Sequence, residues 1–321
     1  MVNIDKTDKI ILYELYKNSR IPETKLAKII GKSKESVRYR IKKLTEQKII
    51  LKYSLWIDPA ITGFQTAKCY LKLINNPAKK RELIEYIKKD KRLFWLGIGE
   101  GNWNLGITYF VKSNHEFYEI KRDLASKYGE IIQEIHLAAP IEIKVGEMTN
   151  LYQKEFEWSI IAKEQKNNKY DETDRAILKE LYKNSRKNVV EISRNINSTI
   201  STVRGRMKKM EEEGLIVKYT IAINYEKLGF QFFKSFLYFN NLTKKDEQKI
   251  IEYCKQDPNI LHVVKQISDW DIELEIMCET YKEYNEIINH LTQEFSHSIK
   301  KVETTIMSED HVYPSKAMFF E

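Results

Sequence analysis

Six side chains between positions 34 and 43 carry the most chemistry in this chain: Lys34, Glu35, Arg38, Tyr39, Lys42 and Lys43. At about 100° per residue, a helix that buries Val37, Ile41 and Leu44 turns Glu35, Arg38, Tyr39 and Lys42 outward, with Lys34 and Lys43 flanking them. Such a face can neutralise phosphates with its charges and meet base edges with its hydrogen-bonding groups. The pattern returns later as Ser201, Arg204, Gly205 and Lys208, flanked by Ile200 and Lys209. A basic helix face alone fits simple solvation equally well, so its meaning depends on its surroundings. Arg40 and Arg206 lie at the edge of the buried face, where pairing with an acidic group of the first helix suits them better than base reading.

The other reactive residues form no comparable set. Cys69, Cys254 and Cys278 have no CxxC or other ligand spacing and suit a reducing compartment. The six histidines are His115, His136, His262, His290, His297 and His311; none recurs at an equivalent position in the duplication described below, and none sits in an acid–base or ligand motif. No catalytic residue, metal or cofactor is therefore expected, and the chain reads as a non-enzyme. No apolar run approaches the ~18 residues of a membrane span, and the charged start MVNIDKTDKI has no signal-peptide core. A cytoplasmic protein with no membrane partner is expected.

The elements that must position the basic face come in two copies. Residues 3–68 align without a gap on 169–234, with 27 of 66 positions identical, and Leu15–Arg20 returns letter for letter as Leu181–Arg186. Charge follows the duplication. Residues 1–58 hold 14 Lys/Arg against 7 Asp/Glu, residues 167–224 hold 12 against 8, and the whole chain is +8, so the remainder is −3. A basic head on a neutral or acidic body suits nucleic-acid binding.

Each copy opens with three helical patterns. In the first copy Thr7 can cap a helix bearing Ile10, Ile11, Leu12 and Leu15; its counterpart starts at Thr173. A short helix, Glu23–Ile30 or Val189–Ile196, ends at Gly31 or Asn197, the two residue types that most readily take a left-handed backbone. The third helix begins at an N-cap, Ser33 or Thr199, and carries the outward residues named above. Apolar stretches 49–57 and 215–223 then read as wing strands. The remainder of each copy alternates as βαββαβ, the ferredoxin-like order, with last strands at 131–137 and 299–307 and an irregular tail from Ser308. The fold class is α+β: two winged helix-turn-helix domains and two ferredoxin-like domains, an internal duplication with pseudo-twofold symmetry. The expected boundaries are 1–62 and 169–228 for the heads, 63–151 and 229–321 for the ferredoxin-like domains, and 152–168 for a polar linker. Leu71, Leu73 and Tyr109 are expected to pack against Leu237 and Phe239 across the pseudo-dimer.

Taken together these motifs resemble the Lrp/AsnC family of transcription regulators in a tandem form. The resemblance rests on Asp5-x-x-Asp8-x-x-Ile11-Leu12 through Arg20, on Leu26-Ala27, and on Ser33-x-x-x-Val37-x-x-Arg40-Ile41-x-x-Leu44 followed by Ile50. It implies double-stranded DNA as partner, self-association into homo-oligomers, and a small-molecule effector at the central turn of the ferredoxin-like domain. The family's Gly-x-aromatic-Asp turn is split between the copies. Gly101-Asn102-Trp103-Asn104 keeps the glycine and Ser268-Asp269-Trp270-Asp271 keeps the aspartate, making Gly101, Asn104, Ser268 and Asp271 the candidate effector residues. Siroheme decarboxylases resemble the same architecture and would need His and Arg around a tetrapyrrole. A scaffold whose heads have lost DNA is the third reading.

Overall fold

The computed structural model describes residues 4–152, 154–161, 168–313 and 318. The first repeat contains α1 (Lys6–Lys17), α2 (Glu23–Ile30), α3 (Lys34–Glu46), β1 (Ile50–Ile57), β2 (Gln65–Leu73), α4 (Pro77–Lys89), β3 (Leu93–Gly101), β4 (Leu105–Val111), α5 (Asn114–Tyr128) and β5 (Ile132–Val145). A short β6 (Ser159–Ile161) lies between the copies, and the rest of the expected linker, 162–167, is outside the described residues. The second repeat contains α6 (Glu172–Lys183), α7 (Val189–Asn195), α8 (Ile200–Glu212), β7 (Ile216–Ile223), β8 (Gln231–Phe239), α9 (Lys244–Gln256), β9 (Ile260–Ile267), β10 (Ile272–Cys278), α10 (Tyr281–Glu294) and β11 (Ile299–Val312).

The head helices start and stop for identifiable reasons. Asp5 and Asp171, rather than Thr7 and Thr173, cap α1 and α6: each carboxylate takes the backbone N–H three residues on, and Asp8 or Asp174 returns the bond. Ser33 and Thr199 cap α3 and α8. Gly31 at φ 65° and Asn197 at φ 52° make the left-handed turns that the sequence called for.

The wing differs from expectation. Each head supplies one strand, and β1 pairs antiparallel with β7 of the other repeat in a two-stranded ribbon. α1 lies on β7 and α6 on β1, so the heads exchange their supports. Equivalent residues meet at the centre: Ser54 opposes Thr220, and the Ser19 and Ser185 hydroxyls are 2.7 Å apart. Ser19 N–H donates to Tyr219 O at 2.9 Å and Ser185 N–H to Tyr53 O at 3.3 Å. The repeated hexapeptide thus folds against its own copy.

Each ferredoxin-like unit has the strand order expected of that fold, β5–β2–β4–β3 and β11–β8–β10–β9. The units then join edge to edge, β3 to β11 and β9 to β5, closing a ring of eight strands. The last strands run to 14 residues each, past the expected ends. β5 pairs with β2 as far as Ala138 and with β9 from Ala139 onward. β11 passes from β8 to β3, so the expected irregular tail from Ser308 is strand as far as Val312. Closure also reverses the expected packing. Leu71, Leu73 and Tyr109 point away from the barrel, onto Leu83, Ile87 and Leu124; Leu237 and Phe239 pack with Ile250 and Leu291. The opposite face of each strand lines the interior, because side chains alternate with period two. Among the described residues, no helix is long and apolar enough to cross a membrane.

Candidate functional site

The outward faces of α3 and α8 are open. Lys34, Glu35, Arg38, Tyr39, Lys42 and Lys43 are all exposed, as are Ser201, Arg204, Gly205, Lys208 and Lys209. Their ion pairs are surface pairs: Arg38 to Glu23 at 2.9 Å, Lys42 to Glu46 at 3.7 Å, Lys208 to Glu212 at 3.5 Å and Lys209 to Glu213 at 3.8 Å. Such contacts contribute little to stability. Tyr39 is 68% exposed and apolar enough to stack or seat on a base, whereas its counterpart is Gly205. Arg40 and Arg206 do not face outward to read bases. Arg40 donates to Asp5 at 2.7 Å and Asp8 at 2.8 Å; Arg206 reaches Asp171 at 2.8 Å and Asp174 at 3.0 Å. The helix cap and the recognition helix are therefore tied by one guanidinium in each head.

The four candidate effector residues lie at two hairpin turns. Gly101 has φ 131°, and a Cβ there would meet Thr304 O at 2.5 Å. Asn104 accepts from Leu73 N–H at 2.8 Å, and its own N–H donates to Leu71 O at 2.8 Å. The Ser268 hydroxyl donates to Trp270 O, and Asp271 N–H donates to Leu237 O at 3.2 Å. Burial, with Glu247 adding, pushes the Asp271 carboxyl above its ordinary value. Trp103 and Trp270, equivalent residues 6.0 Å apart, close this end of the barrel. The void beside Asn104 is about 10 Å³, room for one water.

The middle of the barrel holds a charged cluster that sequence reading missed. Lys68 and Lys234 are equivalent residues, the last identity of the ungapped window, and both bond Glu273, Lys68 at 3.1 Å and Lys234 at 2.8 Å. Lys234 also bonds Glu275, and the Tyr70 hydroxyl donates to Glu273. Burial pushes the Glu273 carboxyl up, but the two ammonium groups outweigh it and hold the group well below the usual carboxylate range. The carboxylates belong to one copy only; Gly106 and Thr108 stand at the equivalent positions. Gly106 and Gly97 face each other, and any Cβ there would strike the Trp95 ring. The indole lies across them, 4.5 Å from Lys234, and donates to Asp310. The signal was present as Lys68 and Lys234 in strand and as the alternation Ile272-Glu273-Leu274-Glu275-Ile276.

Between this cluster and the β1–β7 ribbon lies a cavity of about 610 Å³. Its walls include Trp56, Phe94, Trp95, Phe110, Tyr225 and Phe232, and its polar lining includes Lys52, Thr66, His262 and Glu275. Burial pulls His262 down to about 4 from its ordinary 6.5, against the nearby Glu275. None of the sequence-derived effector residues borders this space.

Residues 4–50 and 170–217 match a family model described as winged helix-turn-helix DNA-binding. An uncharacterized HTH-type transcriptional regulator of Pyrococcus furiosus is 34% identical over 122 residues, 37% of this chain and 79% of that protein. The HTH-type transcriptional regulator LrpA of Pyrococcus abyssi is 31% identical over 128 residues, 40% of this chain and 88% of that protein. Among solved structures, the siroheme decarboxylase NirDL superposes with a TM-score of 0.65 at 11% identity, over 98% of this chain and 96% of that one. At that identity the likeness is one of fold. It nevertheless corrects the expectation of a non-enzyme, because a whole-chain counterpart of this double architecture is an enzyme. The matched heads, and relatives aligned over most of their length, show that the chain belongs to the Lrp/AsnC family of helix-turn-helix transcription regulators.

Proposed function

We propose that the chain is a double-stranded DNA-binding transcription regulator in which one polypeptide supplies both heads of a pseudo-dimer and reads one asymmetric site. The observation that carries this reading is the pair of exposed, capped, basic helices α3 and α8, each pinned by an arginine to the first helix of its head, α1 or α6. Lys34, Lys42, Lys43, Lys208 and Lys209 meet phosphates. Glu35, Arg38, Tyr39, Ser201 and Arg204 meet base edges in the major groove. Because β1 and β7 share a ribbon, the two heads are presented together. From Lys32 to Lys52 the first head carries eight basic and two acidic residues, against five and three from Ser198 to Lys218, so the half-sites are unequal. Selection from random duplexes with the full chain tests this. Two dissimilar half-sites, spaced by whole helical turns, are expected; a perfect palindrome would refute the asymmetry.

A second reading takes its support from the barrel cavity together with the whole-chain likeness to NirDL, a protein also solved with an iron-uroporphyrin III analogue. On that reading the cavity binds a tetrapyrrole and the chain acts on it. An absorbance scan of the purified protein, followed by incubation with siroheme and assay of released carbon dioxide, separates the two.

A further inference from the structure

The cavity between ribbon and barrel holds polar groups that have nothing to bind. Thr66 Oγ1 and His262 Nδ1 are buried and lack hydrogen-bond partners. His262 Nε2 faces Glu275 at 3.9 Å, so its other ring nitrogen is the unserved one. Lys52, on the ribbon, makes no ion pair among the described residues; its ammonium reaches only Val312 O at 3.2 Å and the Tyr182 ring at 5.6 Å. Burial lowers its pKa, with Asp310 opposing. Lys68 and Lys234 are already neutralised by Glu273 and Glu275. Among the described residues Lys52 is therefore the lysine of this lining with no carboxylate within ion-pair distance, while Glu226, Glu275, Glu309 and Asp310 elsewhere in the lining confine a single anionic group to it. The volume falls within the roughly 300–1,000 Å³ of small-molecule sites. Flat walls are also present: Phe94 and Phe110 stack at 4.4 Å, and Trp95 lies down over paired glycines.

We propose that this cavity is an effector site for a planar aromatic monocarboxylate, with the carboxylate on Lys52, the ring between the aromatic walls and a polar substituent toward Thr66 and His262. Its roof is the ribbon on which α1 and α6 rest, so occupancy shifts the heads and alters DNA affinity. That coupling rests on the regulator reading, and it is reciprocal: the factor by which ligand changes DNA affinity equals the factor by which DNA changes ligand affinity.

The test is calorimetric titration of the full chain with cinnamate, phenylpyruvate and indoleacetate, and with the corresponding amides, with and without a selected duplex. One carboxylate should bind once per chain, about tenfold or more tighter than its amide, since a charge-assisted bond is lost in the amide. Lys52→Met, at a half-exposed ribbon position, should remove that preference. Thr66→Val, close to isosteric, should weaken only ligands bearing the polar substituent. Failure of every carboxylate to bind, amide binding of equal strength, or preference retained in Lys52→Met would overturn the site. So would a tetrapyrrole that co-purifies in this cavity. If DNA binding is intact in those cases, the regulator reading stands. Carboxylate binding without any DNA binding would instead sink the regulator reading and the coupling.

Discussion

Arg40 shows what a single residue type at one spacing can decide. Its guanidinium joins the capping box of α1 to the recognition helix, and Asp8 beneath it is nearly buried. Arg40→Met should cost about 1–2 kcal/mol, because bonds to a charged group are lost and a carboxylate is left behind while Asp5 is half exposed. Chemical denaturation of the full chain would measure it; a change near zero would show that the pair is ornamental. This role was legible from helical spacing alone. The part played by His262 was not, since one histidine in an apolar strand says nothing about its neighbours. Burial lowers His262 to about 4, opposed by Glu275 and reinforced by Lys218 and Lys234. The unfolded chain, with the ordinary value of 6.5, takes up the proton first as pH falls. Stability is thus full above about 6.5 and declines toward about 4. Melting curves across that window should flatten in His262→Gln. Glu273 acts in a separate window, losing its contribution as pH falls below its ordinary 4.5.

At the scale of elements, helices and their ends were readable because apolar spacing, caps and left-handed turns are local. Strand partners were not, because period two reports a face and never names what it faces. Ala67, Cys69, Leu71 and Leu73 alternate along β2 as the apolar face, but their partners are helices α4 and α5, and the polar alternate face became the interior. Likewise the wing strands were found, but their pairing across the repeats was not. Pro140, a residue that argues against a central strand, sits beside the register shift where β5 changes partner, which hid the second half of that strand. The two recognition helices, by contrast, differ visibly in sequence, and that difference has a consequence. Arg38→Ala with Lys42→Ala should weaken binding to a selected duplex more than Arg204→Ala with Lys208→Ala, because the first face is the more basic. Fluorescence anisotropy on the same duplex would compare them; equal losses would show that the asymmetry has no effect.

At the scale of the molecule, one approximate axis runs through pairs of equivalent residues: Ser19 with Ser185, Ser54 with Thr220, Lys68 with Lys234, Trp103 with Trp270. Two like charges at the centre of a barrel would repel. Glu273 and Glu275 belong to one copy alone, an arrangement that a dimer of identical subunits could not have. Lys234 serves both carboxylates and Lys68 only one. Lys234→Met should therefore destabilise the chain by about 3–5 kcal/mol, the range for leaving a buried charge unpaired, and Lys68→Met by less. Denaturant unfolding of both variants would rank them, and the reverse order would contradict this assignment of the cluster.

DNA binding by the two heads is the central claim, and equilibrium binding of the full chain to a duplex across a salt series tests it most directly. The Lys/Arg excess lies in the heads, so log K should fall linearly with log salt at a slope of about −0.9 for each phosphate neutralised. The slope should become shallower in Arg38→Ala with Lys42→Ala. A slope near zero on duplex DNA, unchanged by that pair, would contradict the claim.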